Sequence, residues 1–189
     1  YHSCDKLHIK TLKHALGVNK KSTNDAVLGE TGRYPLYIDI LKHSVKYYNR
    51  LTGPDCPHLL SSAFKENCKL HNQGKTSWVS SIYFVLDHFK LNNYPSKNLP
   101  DVLKTKTILS FKSSWSQRMS SSGVHSIGKL RTYTMFKNTF EYEKYLDVIK
   151  VREIRTCYTR FRISAHKLQI EYGRDNNTPV SDRLCRICD

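Results

Sequence analysis

Trp78–Phe89 reads WVSSIYFVLDHF. Trp78, Ile82, Val85 and Phe89 fall at i, i+4, i+7 and i+11, which places four apolar side chains on one face of an α-helix. Thr76 or Ser77 stands where an N-cap is needed. The same device recurs on both sides. Pro57–His71 carries Leu60, Phe64 and Cys68 in line, with Gly74 behind them. Tyr34-Pro35 opens a long helix striped by Ile38, Leu41, Val45 and Tyr48, and Gly53-Pro54 stops it. Asp5–Leu16 aligns Ile9, Leu12 and Leu16 ahead of a capping Gly17. Ser22–Asp25 is a run of N-cap types that opens a short turn through Ala26, Val27 and Leu28, ending by Gly32. Downstream, Asp101–Met119 buries Ile108, Phe111, Trp115 and Met119 by the same period. The pattern predicts a mainly α protein, a bundle or array of about six to eight helices.

Breaks divide these helices. Residues 92–100 hold two prolines and three asparagines and form the best linker candidate. Ser120–Gly128 is a second break. Lys129–Tyr133 reads as a strand or an extended lead-in, Phe140–Ile149 as a short helix, and Gly173–Pro179 as a polar loop. Eight glycines and six prolines are too few for a loop-rich β fold or a disordered tail. No apolar run approaches the ~18 residues of a membrane span, so no membrane partner is expected.

Charge narrows the partner. Lys and Arg number 31 against 16 Asp and Glu, a formal net charge of +15. Residues 1–100 carry 14 basic and 7 acidic side chains and residues 101–189 carry 17 and 9, so the excess is a surface and not a tail. Such a field favours polyanions, chiefly RNA or DNA.

Residues 150–170 concentrate that charge. Ile154, Tyr158, Phe161, Ala165 and Leu168 recur at spacings of four, three, four and three, which predicts one long helix buried along that stripe. Arg152, Arg160 and Lys167 then lie opposite, with Arg155 and Arg162 at one edge. Together with Arg174 they are the candidate phosphate-binding residues. A solvated charged face is the bland alternative. Tyr133 and Tyr172, outside clear stripes and near basic residues, are the candidates for stacking on unpaired bases.

Six cysteines, at 4, 56, 68, 157, 185 and 188, form no dense framework, so reduced thiols in a nuclear or cytoplasmic setting are expected. Cys185 and Cys188 are spaced as two ligands of a tetrahedral zinc. A redox pair or a chance pair would read alike. The other two ligands would lie downstream, so the chain reads as part of a longer protein. Cys56-Pro57-His58 and Cys68 with His71 also bring ligand types together, though Cys68 belongs to an apolar stripe.

Several runs then become familiar. Leu12–Lys20 (LKHALGVNK), Asn24–Leu36 (NDAVLGETGRYPL), Lys129–Tyr133 with Phe136-Lys137, and Phe161–His166 through Glu171–Arg174 to Arg183–Cys188 follow one another in order along nearly the whole chain. This series resembles the segment downstream of the polymerase core in non-LTR retrotransposon reverse transcriptases. The resemblance implies a thumb-like and linker helical part over 1–92, a second helical part over 101–174 with the basic helix 150–170, and the start of a Cys-Cys-His-Cys zinc knuckle over 175–189. Cys185 and Cys188 match its first two ligands. Zinc would bind fully only in the longer parent. The resemblance further implies a segment that grips template RNA or target DNA beside the polymerase core of the parent.

No catalytic role is expected of this chain itself. Tyr37-Ile38-Asp39-Ile40 offers one carboxylate where two-metal phosphoryl transfer needs paired acids. No nucleophile elbow, zinc-protease or phosphate-loop motif is present. The alternative function is a helical scaffold whose basic face meets an acidic protein.

Overall fold

The structure, a computed structural model, describes residues 2–94, 96–121, 130 and 132–184. Among the described residues there are ten α-helices and no strand. They are α1 (His2–Ala15), α2 (Asn24–Thr31), α3 (Tyr37–Thr52), α4 (His58–Asn72), α5 (Trp78–His88), α6 (Leu99–Ser121), α7 (Tyr133–Phe136), α8 (Tyr145–Val148), α9 (Arg152–Arg162) and α10 (Gln169–Asp175). The chain is mainly helical, as the periodicity implies. The count exceeds six to eight because α7, α8 and α10 are short pieces where fewer elements were expected. The Ser120–Gly128 break lies outside the described residues beyond Ser121, as do Lys129 and Arg131 of Lys129–Tyr133, while Tyr133 opens α7 and not a strand.

Two compact units form. One comprises Leu36–Phe111. The other joins His2–Pro35 to Lys112–Asp189. The reason is chemical: α2 is tied to segments more than a hundred residues away, as described below.

In the Leu36–Phe111 unit, α3 buries Ile38, Leu41 and Val45, three of the four residues its stripe names, and Tyr48 is half-buried at the margin of the core. Ser77 caps α5, its hydroxyl accepting the backbone N–H of Ser80 at 3.1 Å. The buried face of α5 is Val79, Ile82 and Leu86. Trp78, Val85 and Phe89 instead pack at the margin of the core that Leu41, Val45, Ile82, Leu86, Leu91, Leu99 and Leu103 share. The apolar stripe of α5 is broad enough that its centre sits one residue from where period alone puts it. α4 packs against α3 and α5 but buries no residue fully, and Phe64 meets Tyr48 edge-on at 5.8 Å between ring centroids.

In the second unit α2 is the centre. Five successive residues, Ala26 to Glu30, are buried, so this helix is covered on every side. α1 packs on it. Trp115 donates its indole N–H to the Asp25 carbonyl at 3.0 Å, and Arg118 forks onto the Asp25 carboxylate with two bonds of 2.9 Å. Gly32 ends α2 in the left-handed region at φ 57°, and a Cβ there would stand 2.6 Å from the Tyr142 nitrogen. Glu143 then donates its N–H to the Glu30 carbonyl at 3.0 Å. Residues 142–143 therefore run along the end of α2 instead of continuing the short helix expected from Phe140.

The carboxylate of Glu30 is fully buried. Arg162 donates to it through Nε (3.0 and 3.2 Å) and an Nη (2.9 Å), and Tyr145 donates its hydroxyl at 2.5 Å. The same guanidinium reaches Glu143 at 3.1 Å, and Lys137 completes the group by pairing with Glu143 and donating to the Glu141 carbonyl at 2.5 Å. Two acids and two bases thus share one interior site. Burial opposes the charge on Arg162, but Glu30 and Glu143 outweigh it and raise its pKa above the ordinary value. Burial and the Glu30 charge likewise push the Tyr133 and Tyr145 phenols up, so both stay protonated.

That cluster overturns the expected long helix over 150–170. α9 ends at Arg162, Ser164 takes φ 56°, and helix resumes only at Gln169. It also reverses the buried face. Ile154, Tyr158, Phe161 and Leu168 are 42–58% exposed. Arg155, Thr159 and Arg162, at i, i+4 and i+7, turn inward instead, and Arg155 donates to the carbonyls of Leu146 and Ile149 at 3.3 Å. A buried carboxylate needs a buried countercharge, and that requirement outranks the smaller gain from covering a few apolar side chains.

Glu30→Ala leaves Arg162 buried without its main partner. The expected loss is about 3–5 kcal/mol of folding free energy, read from the urea midpoint of the full chain. A loss under about 1 kcal/mol would contradict the role assigned to this pair.

Candidate functional site

Once Arg155 and Arg162 face inward, α9 presents a different set to solvent. Arg152 and Arg160 line a groove of about 810 Å³ in the second unit. Lys167 and His166 border it from the turn after α9, and Tyr172 from α10. Val18 and Asn19, from the loop after α1, close its other wall. Among the described residues, Glu153 is the one carboxylate in the lining, against three cations. Among the described residues, Arg152, Arg160 and Lys167 make no ion pair.

The loop wall is held by close backbone approach. Gly17 sits at φ 67°, and a Cβ there would lie 2.7 Å from the Thr156 side chain of α9. Its carbonyl accepts a 2.8 Å hydrogen bond from Arg160 Nε. Only glycine permits both the turn and the contact. Arg160 therefore fixes the loop with one nitrogen and keeps its other donors for the groove.

His166 is half-buried and stacks on Phe161, with ring centroids 5.5 Å apart. Its Nδ1 accepts the N–H of Leu168 at 3.2 Å, which requires that nitrogen to be unprotonated. Burial holds its pKa below 6.5; Glu171 opposes this and Arg174 adds to it. At neutral pH the ring is uncharged.

The remaining candidates divide. Arg174 is mostly buried and pairs with Glu171, which itself is buried. It belongs to the interior with Arg155 and Arg162, so three of the six expected phosphate ligands are spent on the fold. Tyr133 is fully buried and cannot stack on a base, whereas Tyr172 is 52% exposed within the groove. Cys185 and Cys188 lie outside the described residues. Cys68 and His71 are both on α4, and no group of three metal-ligating side chains forms among the described residues.

A second basic groove, of about 910 Å³, adjoins the first. Lys6, Lys10, Lys13 and Lys20 line it, with Asp5 the one carboxylate among the described residues. It shares Val18 and Asn19 with the groove on α9. Lys13 donates to the Lys20 carbonyl at 2.9 Å, which ties α1 to the loop that both grooves use. The signal was available in the sequence: Lys6, Lys10 and Lys13 stand at i, i+4 and i+7, a basic stripe on α1 beside the apolar one.

The Leu36–Phe111 unit has its own open pocket of about 660 Å³, lined by Tyr48, Tyr83, Phe84, His71 and Asp87 among others, with no lysine or arginine. His71 Nδ1 lies 3.0 Å from the Ser80 hydroxyl there. No known protein family, curated protein or solved structure matches the chain.

Because the folded pKa of His166 is depressed, the stability it supports is fully present above pH 6.5 and is lost as pH falls toward the folded value. Between about pH 7.5 and about pH 5.5 the wild type is expected to lose more stability than His166→Asn. Parallel urea titrations at the two pH values check this. Equal losses would show that His166 does not titrate in that window.

Proposed function

We propose that this chain is a non-catalytic nucleic-acid-binding segment of a longer reverse transcriptase of the non-LTR retrotransposon kind, gripping template RNA or target DNA. The observation that carries the proposal is the convergence of Arg152, Arg160 and Lys167 on one groove without carboxylate partners. In the same unit Arg118 pairs with Asp25, Arg162 with Glu30 and Arg174 with Glu171. Cations left unmatched in a concavity suit a ligand that brings its own negative charge. The lysine stripe of α1 supports the same reading from an independent element.

Binding in this picture is electrostatic and largely independent of sequence. Each phosphate neutralised releases condensed counterions, so affinity falls steeply with salt. The polymerising step belongs to the polymerase core of the parent. Asp39, the lone acid of Tyr37-Ile38-Asp39-Ile40, pairs with Lys104 at 2.6 Å on the helical surface of the other unit. Cys185 and Cys188 supply two thiolates, half of a tetrahedral zinc set, and the parent would supply the rest.

Arg152→Glu with Lys167→Glu alters two exposed side chains that make no internal bond. The double variant is expected to keep the wild-type melting temperature and to bind RNA more weakly. Its log Kd against log salt slope should fall by about 1.5, from roughly 0.7–0.9 per phosphate contact. Fluorescence anisotropy across a salt series measures this. An unchanged slope would remove this groove from the interface, and competition by an acidic protein better than by RNA would favour a protein partner.

A further inference from the structure

The two basic grooves meet at Val18–Asn19 and differ in what they offer. The groove on α1 carries four lysines, set among Ile9, Val18, Asn19 and Asn24 with Asp5 in its wall. The groove on α9 adds uncharged planar groups among its cations: Tyr172, 52% exposed, and His166, neutral and backed by Phe161. Thr156 and Asn19 supply neutral hydrogen-bonding groups beside them.

From this juxtaposition we infer that the grooves form one track for a single-stranded nucleic acid, with phosphates held along α1 and a base stacked on Tyr172. The inference rests on the nucleic-acid reading above and sharpens it. A duplex presents a ridge of phosphates and keeps its bases stacked inside. A ring set within a concavity would find no aromatic face there. A single strand offers both the charge and the face, and stacking on an aromatic side chain tolerates any base. His166 fits the same division of labour. A protonated imidazole would be one more phosphate contact, whereas a neutral ring resting on Phe161 is a platform edge. Two chemically distinct zones joined by one shared loop are what a flexible strand with alternating charged and planar parts requires.

The test uses the full chain and labelled probes of about 15 nucleotides, a length suited to one such track. One is an unstructured RNA, and the other is the same strand annealed into a duplex. Wild type is expected to bind the single strand at least about tenfold more tightly than the duplex. Tyr172→Leu should weaken single-strand binding by about 5- to 100-fold without changing the salt slope, and Tyr172→Trp should restore it. Lys6→Glu with Lys10→Glu should instead lower the slope by about 1.4, two contacts at roughly 0.7 each. Equal affinity for the two probes, or a neutral Tyr172→Leu, overturns the single-strand track while leaving nucleic-acid binding intact. Failure to bind either probe overturns the nucleic-acid reading itself.

Discussion

Glu30 sits at the end of a helix buried on all sides, 132 residues in sequence from the arginine that neutralises it. An uncompensated carboxylate in that position would cost several kcal/mol. The fold answers with Arg162, the Tyr145 hydroxyl and the Glu143–Lys137 pair. Three rings, Phe136, Tyr145 and Tyr158, lie within 6 Å of the guanidinium carbon and shield it from water while still attracting its charge. This single site joins α2, the 142–145 segment and α9. It explains why residues 2–35 belong with residues 112–189 and not with those that follow them in the chain.

The rotation of α9 follows from it. With Arg155, Thr159 and Arg162 turned inward, the apolar residues of the same helix come to the outside, and Arg152 and Arg160 come to the groove. A structural ion pair and a functional surface therefore depend on one helix orientation. The +15 chain divides its cations accordingly. Arg118, Arg162 and Arg174 pair with carboxylates of the second unit, whereas Arg152, Arg160 and Lys167 line the groove on α9.

Much of this was legible from local pattern. The stripes of α3 and α6, the Ser77 cap and the Gly32 stop follow from rules that act within one or two turns, and residues such as Ile38, Val45, Trp115 and Met119 are buried as spacing implies. The α9 face was not legible, because periodicity weighs Ile154 and Phe161 as core residues and contains no information about a carboxylate elsewhere in the chain. Glu30 gave no warning either, since in sequence it is one acid beside a glycine. Arg155 and Arg162 turn inward for that reason. The α1 lysines, by contrast, stand at helical spacing and are readable from local pattern. Tyr133 shows the limit of arguing from the lack of a stripe: a four-residue helix has no room to display one, yet its tyrosine is fully buried.

The most direct check is a chain carrying Glu30→Met together with Arg162→Met, which replaces the buried pair by apolar side chains of similar reach. Removing both charges avoids the penalty of stranding one, so the double variant should fold with near wild-type stability. If Arg162 is purely internal, the variant binds RNA with the wild-type dependence on salt. A slope reduced by about one phosphate contact would show Arg162 facing the ligand, and would contradict both the α9 orientation and the division of cations built upon it.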